Sequence, residues 1–216
     1  MARRRDSPYI WVKWITGLMA GEAHCEWAAW FRTHYTYEKR PSDFNFAEWN
    51  AQHAAMVRDR CEALKAQGYS VFVGDQNAFK LPGKTGITLS GKPDILAVRG
   101  DEALVVDCKT GTQRDSDYYQ VLTYMLALPL VNSNCRGRRL SGELQYRDRS
   151  VAIDQARLTE EVEQLLRRTI HRAGGDSPTP KAPSFEECRY CDISAADCPE
   201  RVETEVISEG VEHELF

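Results

Sequence analysis

The sequence predicts one α/β domain in which a β-sheet is flanked by helices. Its 216 residues suffice for one full hydrophobic core and are too few to assume two independent domains. Segments with helical spacing of apolar residues lie on both sides of a block of short strand-like segments, residues 69–110. We expect a single domain over 1–216, with an N-terminal helical part (1–40), a core (41–173) and a C-terminal part (174–216) containing a linker, a cysteine loop and an acidic tail.

The N-terminal segment 8–37 predicts two packed helices separated near Gly21, because aromatic residues recur densely along it. A lysine and several polar-edged aromatics interrupt its apolar stretch, which argues against a secretory signal. No apolar run approaches the ~20 residues that a membrane span needs, so we expect no membrane insertion. The chain has an odd number of cysteines, seven, and no secretion signal, which favours a reducing, cytoplasmic location.

The middle of the chain predicts a long helix followed by strands. In FNFAEWNAQHAAMVRDRCEALKAQG the apolar residues recur at helical spacing, with Ser42 or Asp43 as the candidate N-cap and Gly68 suited to the C-terminal cap. Strand character then appears in YSVFV, NAFKL and GITLSGK.

The second half predicts a helix, a strand pair and a last helix. The helix SDYYQVLTYMLAL starts near Asp115 or Ser116 and is expected to end before Pro129. Residues 139–154 indicate a strand pair, and ARLTEEVEQLLRRTIHRAGG indicates a helix that ends at two glycines. DSPTPKAP has the composition of a linker, and the acidic tail beyond Glu200 is predicted to be mobile or loosely docked.

The stretch GKPDILAVRGDEALVVDCK, residues 91–109, predicts a hairpin that begins and ends near an aspartate. A two-residue turn at Gly100-Asp101 places Asp94 opposite Asp107, and the period of a strand places Lys109 on the same face. Like charges opposed in this way are destabilising unless they are compensated, and a divalent cation would compensate both. From the hairpin alone a second interpretation stays open, in which Asp94 belongs to a Pro-Asp turn and Lys109 is solvated.

The segment CRYCDISAADC contains three closely spaced cysteines, Cys188, Cys191 and Cys198. Three thiolates at this spacing need a fourth ligand to complete a zinc site or to hold an iron–sulfur cluster, and Cys25 is the candidate. Spacing alone does not distinguish zinc from iron–sulfur. With Cys25 included, the ligands would join the two ends of the chain as a structural clasp.

Three further residues are candidates whose spacing alone is not decisive. His53 lies on an apolar helical stripe, where a histidine is more often a core residue than a metal ligand. Gln120 and Tyr124 share one helix face, which is also the arrangement of a buried hydrogen-bonded pair.

The net charge of −4 and the pI near 5.8 argue against a protein that coats nucleic acid with a surface that is basic throughout. They leave room for a local basic groove, which is what phosphate contacts require. Its candidate members, with Tyr118 for base stacking, are Lys80, Lys84, Lys92, Arg136, Arg138, Arg139, Arg147 and Arg149.

Taken together, GKPD, DCK with its KTG continuation, and QVLTY resemble the core of the PD-(D/E)XK nuclease superfamily, in its RecB-like exonuclease branch. One early cysteine and three late ones resemble the members that carry a 4Fe-4S cluster, the CRISPR-associated RecB-like exonucleases and the AddB nuclease domain. The resemblance runs from about Cys25 to Cys198. It implies a restriction-endonuclease-like core with a mixed central β-sheet flanked by helices, and termini joined by a cysteine-ligated cluster.

The resemblance also implies a role for each motif residue. Mg²⁺ or Mn²⁺ would be bound by His53, Asp94, Asp107 and the backbone carbonyl of Cys108, with Lys109 as the catalytic lysine. Many superfamily members have glutamate where this chain has Asp107, and aspartate is common in this branch. Gln120 and Tyr124 match the Q-x3-Y motif that supports the active site and contacts DNA. The ligands of a 4Fe-4S cluster, with zinc as the alternative, are matched by Cys25, Cys188, Cys191 and Cys198.

The implied activity is a metal-dependent DNA exonuclease that hydrolyses phosphodiester bonds of single-stranded DNA ends with a metal-activated water. One alternative is a factor that processes DNA ends in CRISPR spacer acquisition together with an integrase complex. Another is a non-catalytic iron–sulfur module for DNA binding or redox sensing. The expected partners are DNA and a protein complex for DNA repair or CRISPR adaptation.

Overall fold

The computed structural model describes residues 2–205, and the structural statements below refer to that part of the chain. Most of the acidic tail lies outside the described residues. The helices are α1 (Thr16–Met19), α2 (Glu26–His34), α3 (Phe46–Ala66), α4 (Asp115–Val131), α5 (Glu160–Gly174) and α6 (Phe185–Cys188). The strands are β1 (Arg3–Arg4), β2 (Tyr9–Trp11), β3 (Tyr35–Thr36), β4 (Ser70–Val73), β5 (Phe79–Pro82), β6 (Thr88–Gly91), β7 (Ile95–Arg99), β8 (Glu102–Cys108), β9 (Arg139–Gln145) and β10 (Ser150–Ile153).

The main sheet has five strands in the order β10-β9-β8-β7-β4. Strands β8 and β9 are parallel and the other neighbours are antiparallel, so the sheet is mixed, as expected. The predicted hairpin is confirmed: Ile95 pairs with Val106 and Arg99 with Glu102. Gly100 occupies the turn at φ 58°, a conformation that glycine adopts without steric strain.

Helices cover both faces of the main sheet. Leu96 and Val105 face α4 and join the largest core, whereas Ile95 and Val106 face α3 and pack with Leu64. This alternation follows from the two-residue period of the strands. Asp94 and Asp107 therefore fall on the face that α4 covers.

Close approach between α4 and β9 depends on Gly142. A Cβ at this position would collide with Val121 and Met125 of the helix. Both of those side chains are fully or almost fully buried. Glycine is therefore required at this point of the strand for the helix to lie flat on the sheet.

A second sheet of three strands, in the order β2-β6-β5, corrects one prediction. The helix expected at the start of segment 8–37 is wrong for residues 9–11, which form β2 parallel to β6. Ile10 is fully buried there, so tertiary packing overrides the local helical pattern. The expected break near Gly21 is confirmed, because α1 ends before it and α2 begins after it.

Two helix boundaries also differ from the predictions. Asn45, not Ser42 or Asp43, caps α3, since its side chain accepts a hydrogen bond from the backbone N–H of Glu48. Helix α4 continues through Pro129 to its end. A proline inside a helix costs about 3 kcal/mol, and the complete burial of neighbouring Leu128 in the main core offsets that cost.

The two ends of the described chain pack against each other. Trp27, Trp30 and Phe31 of α2 form a separate core with Ile193 and Cys198 of the C-terminal loop. The segment predicted as a linker contains no regular secondary structure. Across the described residues, every helix is too short or too polar to cross a lipid bilayer.

Candidate active site

Two aspartates meet at the end of the hairpin opposite the turn. Asp94 precedes β7 and Asp107 lies near the end of β8, so the strand register sets them side by side. The Oδ2 of Asp94 accepts a hydrogen bond from the backbone N–H of Cys108 at 2.7 Å and lies 3.1 Å from Nε2 of His53. His53 therefore reaches from α3 over the end of the sheet to the acidic pair.

Lys109 lies at the centre of a polar network next to these acids. Its Nζ is 2.8 Å from Oδ2 of Asp107 and 3.1 Å from Oδ1 of Asp117, and it donates to Oε1 of Gln120 at 2.8 Å. Gln120 in turn donates to Asp107 at 3.1 Å and to the hydroxyl of Tyr124 at 2.9 Å. Gln120 of the Q-x3-Y motif thus contacts Asp107 and Lys109 directly, and Tyr124 is linked to them through Gln120.

Tyr124 occupies its position because Gly91 leaves room for it. A Cβ on Gly91 would lie 2.7 Å from the Tyr124 ring and 2.8 Å from the Phe79 ring. The two rings meet edge to face with centroids 6.1 Å apart. The glycine of GKPD therefore supports the motif helix through the position of this tyrosine.

Burial and charge act against each other in this network. Burial alone would lower the pKa of Lys109, but Asp107 and Asp117 outweigh it and the pKa is raised, so the side chain stays an ammonium. Burial raises the pKa of Asp107, and the neighbouring Asp94 adds to the effect. The hydrogen bond to Asp94 raises the pKa of His53. Asp107 and Asp117 pair with the Lys109 ammonium and Asp94 adjoins Asp107, so carboxylates outnumber the ammonium at this point of the cleft, which favours a bound cation.

These residues line one cleft of about 790 Å³. Its volume falls in the range of small-molecule and cofactor sites, about 300–1,000 Å³. Lys13, Lys92 and Arg114 line the same cleft from three separate parts of the chain, so further cations lie around the acidic centre. Phe44 and Trp49 line it as well.

A second cavity, of about 470 Å³, is lined by all four predicted cluster cysteines, Cys25, Cys188, Cys191 and Cys198. None of them forms a disulfide. Glu187 accepts hydrogen bonds from the backbone N–H groups of His24 at 2.8 Å and Cys25 at 3.2 Å, which ties the early cysteine to the late ones. Within residues 2–205, no group of three or more His, Cys, Asp or Glu side chains is arranged to enclose a single metal ion.

The two cavities are neighbours, because Glu22, Ala23 and Arg114 line both. Glu22 accepts a hydrogen bond from the backbone N–H of Ser116, in the first turn of α4, at 3.2 Å. The segment that leads to Cys25 therefore also contacts the helix that carries the Q-x3-Y motif.

The predicted basic residues are divided between two ends of the sheet. Lys92 lines the cleft. Arg147 and Arg149 follow β9, whose last residue, Gln145, pairs with Cys108. They therefore lie at the same end of the strands as the acids. Arg138 and Arg139 contact Gly100 and Glu102 at the hairpin turn, at the opposite end. Tyr118 packs against the main core.

Sequence reasoning missed several residues of the cleft, among them Lys13, Arg114 and Asp117. Asp117 lies three residues before Gln120, and the i, i+3 spacing that places both on one helix face is a signal that could have identified it. No comparable signal exists for Lys13 and Arg114, since they approach the cleft from distant parts of the chain.

A family model provides the deciding comparison. The model of the PD-(D/E)XK nuclease superfamily matches residues 18–198, which include the hairpin, the motif helix and the four cysteines. The chain belongs to the PD-(D/E)XK nuclease superfamily. A search of the curated proteins returned no match for this PD-(D/E)XK chain. Among solved structures, the one described as "Crystal structure of SSO0001" is 14% identical, with a TM-score of 0.47, and the match covers 93% of this chain and 90% of that chain.

PD-(D/E)XK nucleases hydrolyse phosphodiester bonds and generally use divalent metals such as Mg²⁺ or Mn²⁺. The side chains that meet at the end of this hairpin offer the donors that such cations accept, namely carboxylate oxygens from Asp94 and Asp107 and an imidazole nitrogen from His53. The donors of this PD-(D/E)XK chain are therefore of the chemical type that a divalent metal binds; within residues 2–205 they contact neighbouring side chains and do not enclose an ion.

Proposed function

We propose that this protein is a metal-dependent DNA exonuclease that hydrolyses phosphodiester bonds at single-stranded DNA ends. The observation that carries the proposal is the convergence of Asp94, Asp107, Lys109 and Gln120 in one cleft of a nuclease-family chain. The resemblance to RecB-like exonucleases supports action at ends. We expect the protein to work in a reducing, cytoplasmic environment, in keeping with its free cysteines.

In this proposal the metal ligands are His53, Asp94, Asp107 and the backbone carbonyl of Cys108. A bound Mg²⁺ or Mn²⁺ would supply a Lewis acid and a nucleophilic water at neutral pH. The local excess of carboxylates supports this assignment, because an unbalanced negative site is stabilised by a dication.

Lys109 acts as a positive charge in the reaction. Its raised pKa keeps it protonated, so it stabilises negative charge on the phosphate oxygens as the bond to the leaving oxygen breaks. Gln120 fixes its ammonium by accepting one hydrogen bond, and Asp107 and Asp117 hold it from two other sides. An ammonium positioned in advance is more effective than a solvated one, because it need not reorganise during the reaction.

We also propose that the cysteine cavity holds a 4Fe-4S cluster as a structural clasp, with zinc as the alternative. Four thiols from the two ends of the chain line one cavity of about 470 Å³, and thiolates are the ligands of such clusters. In a cluster each thiolate binds a different iron, so the sulfurs lie further apart than around one zinc ion. Iron and acid-labile sulfide in anaerobically purified protein would support it, whereas one zinc per chain and no iron would contradict it.

A second candidate function is the trimming of DNA ends for CRISPR integration within a protein complex. It is supported by the cysteine pattern, which resembles that of CRISPR-associated RecB-like exonucleases. Co-purification with an integrase, and activity that depends on that integrase, would favour it over an independent exonuclease.

The test of the proposed function is cleavage of 5′-labelled and 3′-labelled single-stranded DNA with Mn²⁺ under anaerobic conditions. Lys109→Ala is expected to lower the rate at least about 100-fold, the size of effect seen when one transition-state contact is removed. Lys65→Ala, at an exposed lysine in the last turn of α3, is the matched control and should cut normally. A circular strand of the same sequence has no end, and an exonuclease should leave it intact.

The outcomes separate the elements of the proposal. If linear and circular strands were cut at equal rates, the protein would be a nuclease but not an exonuclease, because cleavage would not require a DNA end. No cutting by the parent protein, with its cluster or zinc present, would reject catalysis and favour a DNA-binding module. Equal cutting by Lys109→Ala and the parent would reject the assigned lysine.

A further inference from the structure

The entrance of the cleft exposes a group of aromatic rings. Phe44 is 53% exposed and Phe46 58% exposed, and Trp49 is half-buried. They lie where an irregular segment enters α3, in the half of that helix that contains no buried residue. None of the three cores within residues 2–205 includes any of these rings, so core packing does not explain them.

The rings form a continuous row from solvent to the acidic centre. The centroid of Phe44 lies 5.0 Å from that of Phe46 and 6.4 Å from that of Trp49. Trp49 stacks on His53 at 5.0 Å with an interplanar angle of 19°. Nε2 of His53 is 3.1 Å from Asp94, so the row ends at the candidate metal ligands.

The charges around the row of aromatic rings indicate which kind of ligand would bind there. Phe44 and Trp49 line the same cleft as Lys13, Lys92 and Arg114. Lys13 and Arg114 form no direct ion pair among residues 2–205, and their charges act through space on Asp107 and Glu22, so both cations face the cleft. Flat apolar rings beside unpaired cations suit a strand whose bases stack and whose phosphates pair with ammonium and guanidinium groups.

We propose that Phe44 and Trp49 form a stacking platform for unpaired nucleobases next to the phosphate that is cut. The inference rests on the proposed nuclease function and specifies how that site selects its substrate. In a duplex the base faces are covered by neighbouring bases, so the platform binds single strands and duplex ends whose bases are unpaired. Because every base has an aromatic face, binding is tolerant of sequence.

The test measures binding of a fluorescent single strand by anisotropy, with Ca²⁺ replacing Mn²⁺ to suppress cleavage. Phe44→Ala and Trp49→Ala are each expected to weaken binding about 5- to 100-fold, the range measured for loss of one base–aromatic stack. Trp49→Phe should recover most of the affinity, whereas Phe44→Leu, which keeps apolar bulk without a π-face, should not. Leu130→Ala is the control, because Leu130 is an equally exposed apolar side chain near the end of α4 and outside the cleft lining.

A second oligonucleotide shows whether the protein recognises the bases or the phosphates of the strand. An oligonucleotide with consecutive abasic residues keeps the phosphates and lacks the bases, so the parent protein should bind it as weakly as Phe44→Ala binds the normal strand. Phe44→Ala should weaken binding to this strand no further. Phe44 is more exposed than buried and does not contact His53, so its variant tests the platform without disturbing a candidate metal ligand.

Failure of the platform and failure of the proposed function give different results. Normal cleavage with Mn²⁺ together with equal binding of normal and abasic strands would overturn the platform alone, and would leave the rings as a contact surface for a protein. Absence of both cleavage and binding in the parent protein would overturn the proposed function together with the platform.

Discussion

Lys109 is held by more acid than charge neutralisation requires. Asp107 and Asp117 lie on two sides of its ammonium, and the hydroxyl of Tyr146 donates to Asp117 at 3.3 Å. Burial raises the pKa of Tyr146 to about 12, so it remains a hydrogen-bond donor at neutral pH. In the proposed reaction Asp117 is therefore a positioning residue, which would act through the lysine.

Asp117→Asn removes this charge and keeps the shape of the side chain. Loss of a hydrogen bond to a charged group amounts to about 1.5–3 kcal/mol, which corresponds to about a 10- to 100-fold lower kcat if the whole effect falls on the transition state. We expect KM for DNA to change little, since Asp117 contacts the lysine and not the strand. Steady-state kinetics give both values. A raised KM with an unchanged kcat would show that Asp117 contributes to DNA binding instead.

At the level of elements, the site depends on how closely α4 approaches the strands. Gly91 of β6 and Gly142 of β9 lie under this helix, where side chains would collide with it. The helix presents Gln120 and Tyr124 to β8 only at that distance. The packing of small residues against α4 thus sets the geometry of the lysine network.

Gly91→Ala tests this dependence. The added methyl group would overlap the rings of Tyr124 and Phe79, and overpacking of this kind destabilises proteins by about 1–3 kcal/mol. Urea unfolding should show this loss, and cleavage should fall as the tyrosine moves. Gly111→Ala is the control for stability, because a Cβ on Gly111 meets no atom within 4 Å. Unchanged stability in Gly91→Ala would mean that the rings move aside freely.

At the scale of the whole molecule, an ion pair joins the N-terminal and C-terminal parts of the chain. Asp192, in the cysteine loop, is 2.9 Å from Nε of Arg32 and accepts a hydrogen bond from the Tyr37 hydroxyl at 2.9 Å. Burial alone would raise the pKa of Asp192, but Arg32 and the hydrogen bonds outweigh it and the pKa is lowered. This ion pair links α2 to the cysteine loop.

Asp192→Asn should lower the free energy of unfolding at pH 7 by about 1–3 kcal/mol, as for other charged hydrogen bonds. A carboxyl whose pKa is depressed on folding contributes stability above the pKa of the unfolded chain, about 3.9, and that contribution is lost as the pH falls through the folded value. The difference between parent and variant should therefore shrink in acid. Denaturant titrations from neutral pH to below pH 4 measure it, with Asp148→Asn at an exposed position as the control. A difference that is independent of pH would contradict the ion pair.

The cysteine clasp gives a second prediction at this scale. Cys25→Ser should lose the bound iron or zinc and lower the melting temperature, because a cross-link between distant parts of a chain contributes up to about 5 kcal/mol. Cys135→Ala is the control for metal content, since burial raises the pKa of Cys135 to about 11 and keeps it an inert thiol. Metal analysis and thermal unfolding measure both effects. Retention of metal in Cys25→Ser would remove Cys25 from the ligand set.

Local patterns in the sequence predicted most of the elements and the centre of the site. The hairpin register follows from a two-residue turn and the period of a strand, so the pairing of Asp94 with Asp107 needed no knowledge of the rest of the chain. The pairing of Gln120 with Tyr124 follows in the same way from the helical repeat. Interactions between residues close in sequence involve short loops and few arrangements, which is why they can be predicted.

Tertiary structure alone decided which distant segments complete the cleft. Strand β2 forms because it pairs with β6, far along the chain, and α4 continues through Pro129 because the main core buries the preceding Leu128. The cations of the cleft and the meeting of four cysteines likewise depend on contacts between remote segments. Such contacts are selected by the total burial and hydrogen bonding of the folded chain, a sum over many weak terms that no local pattern contains.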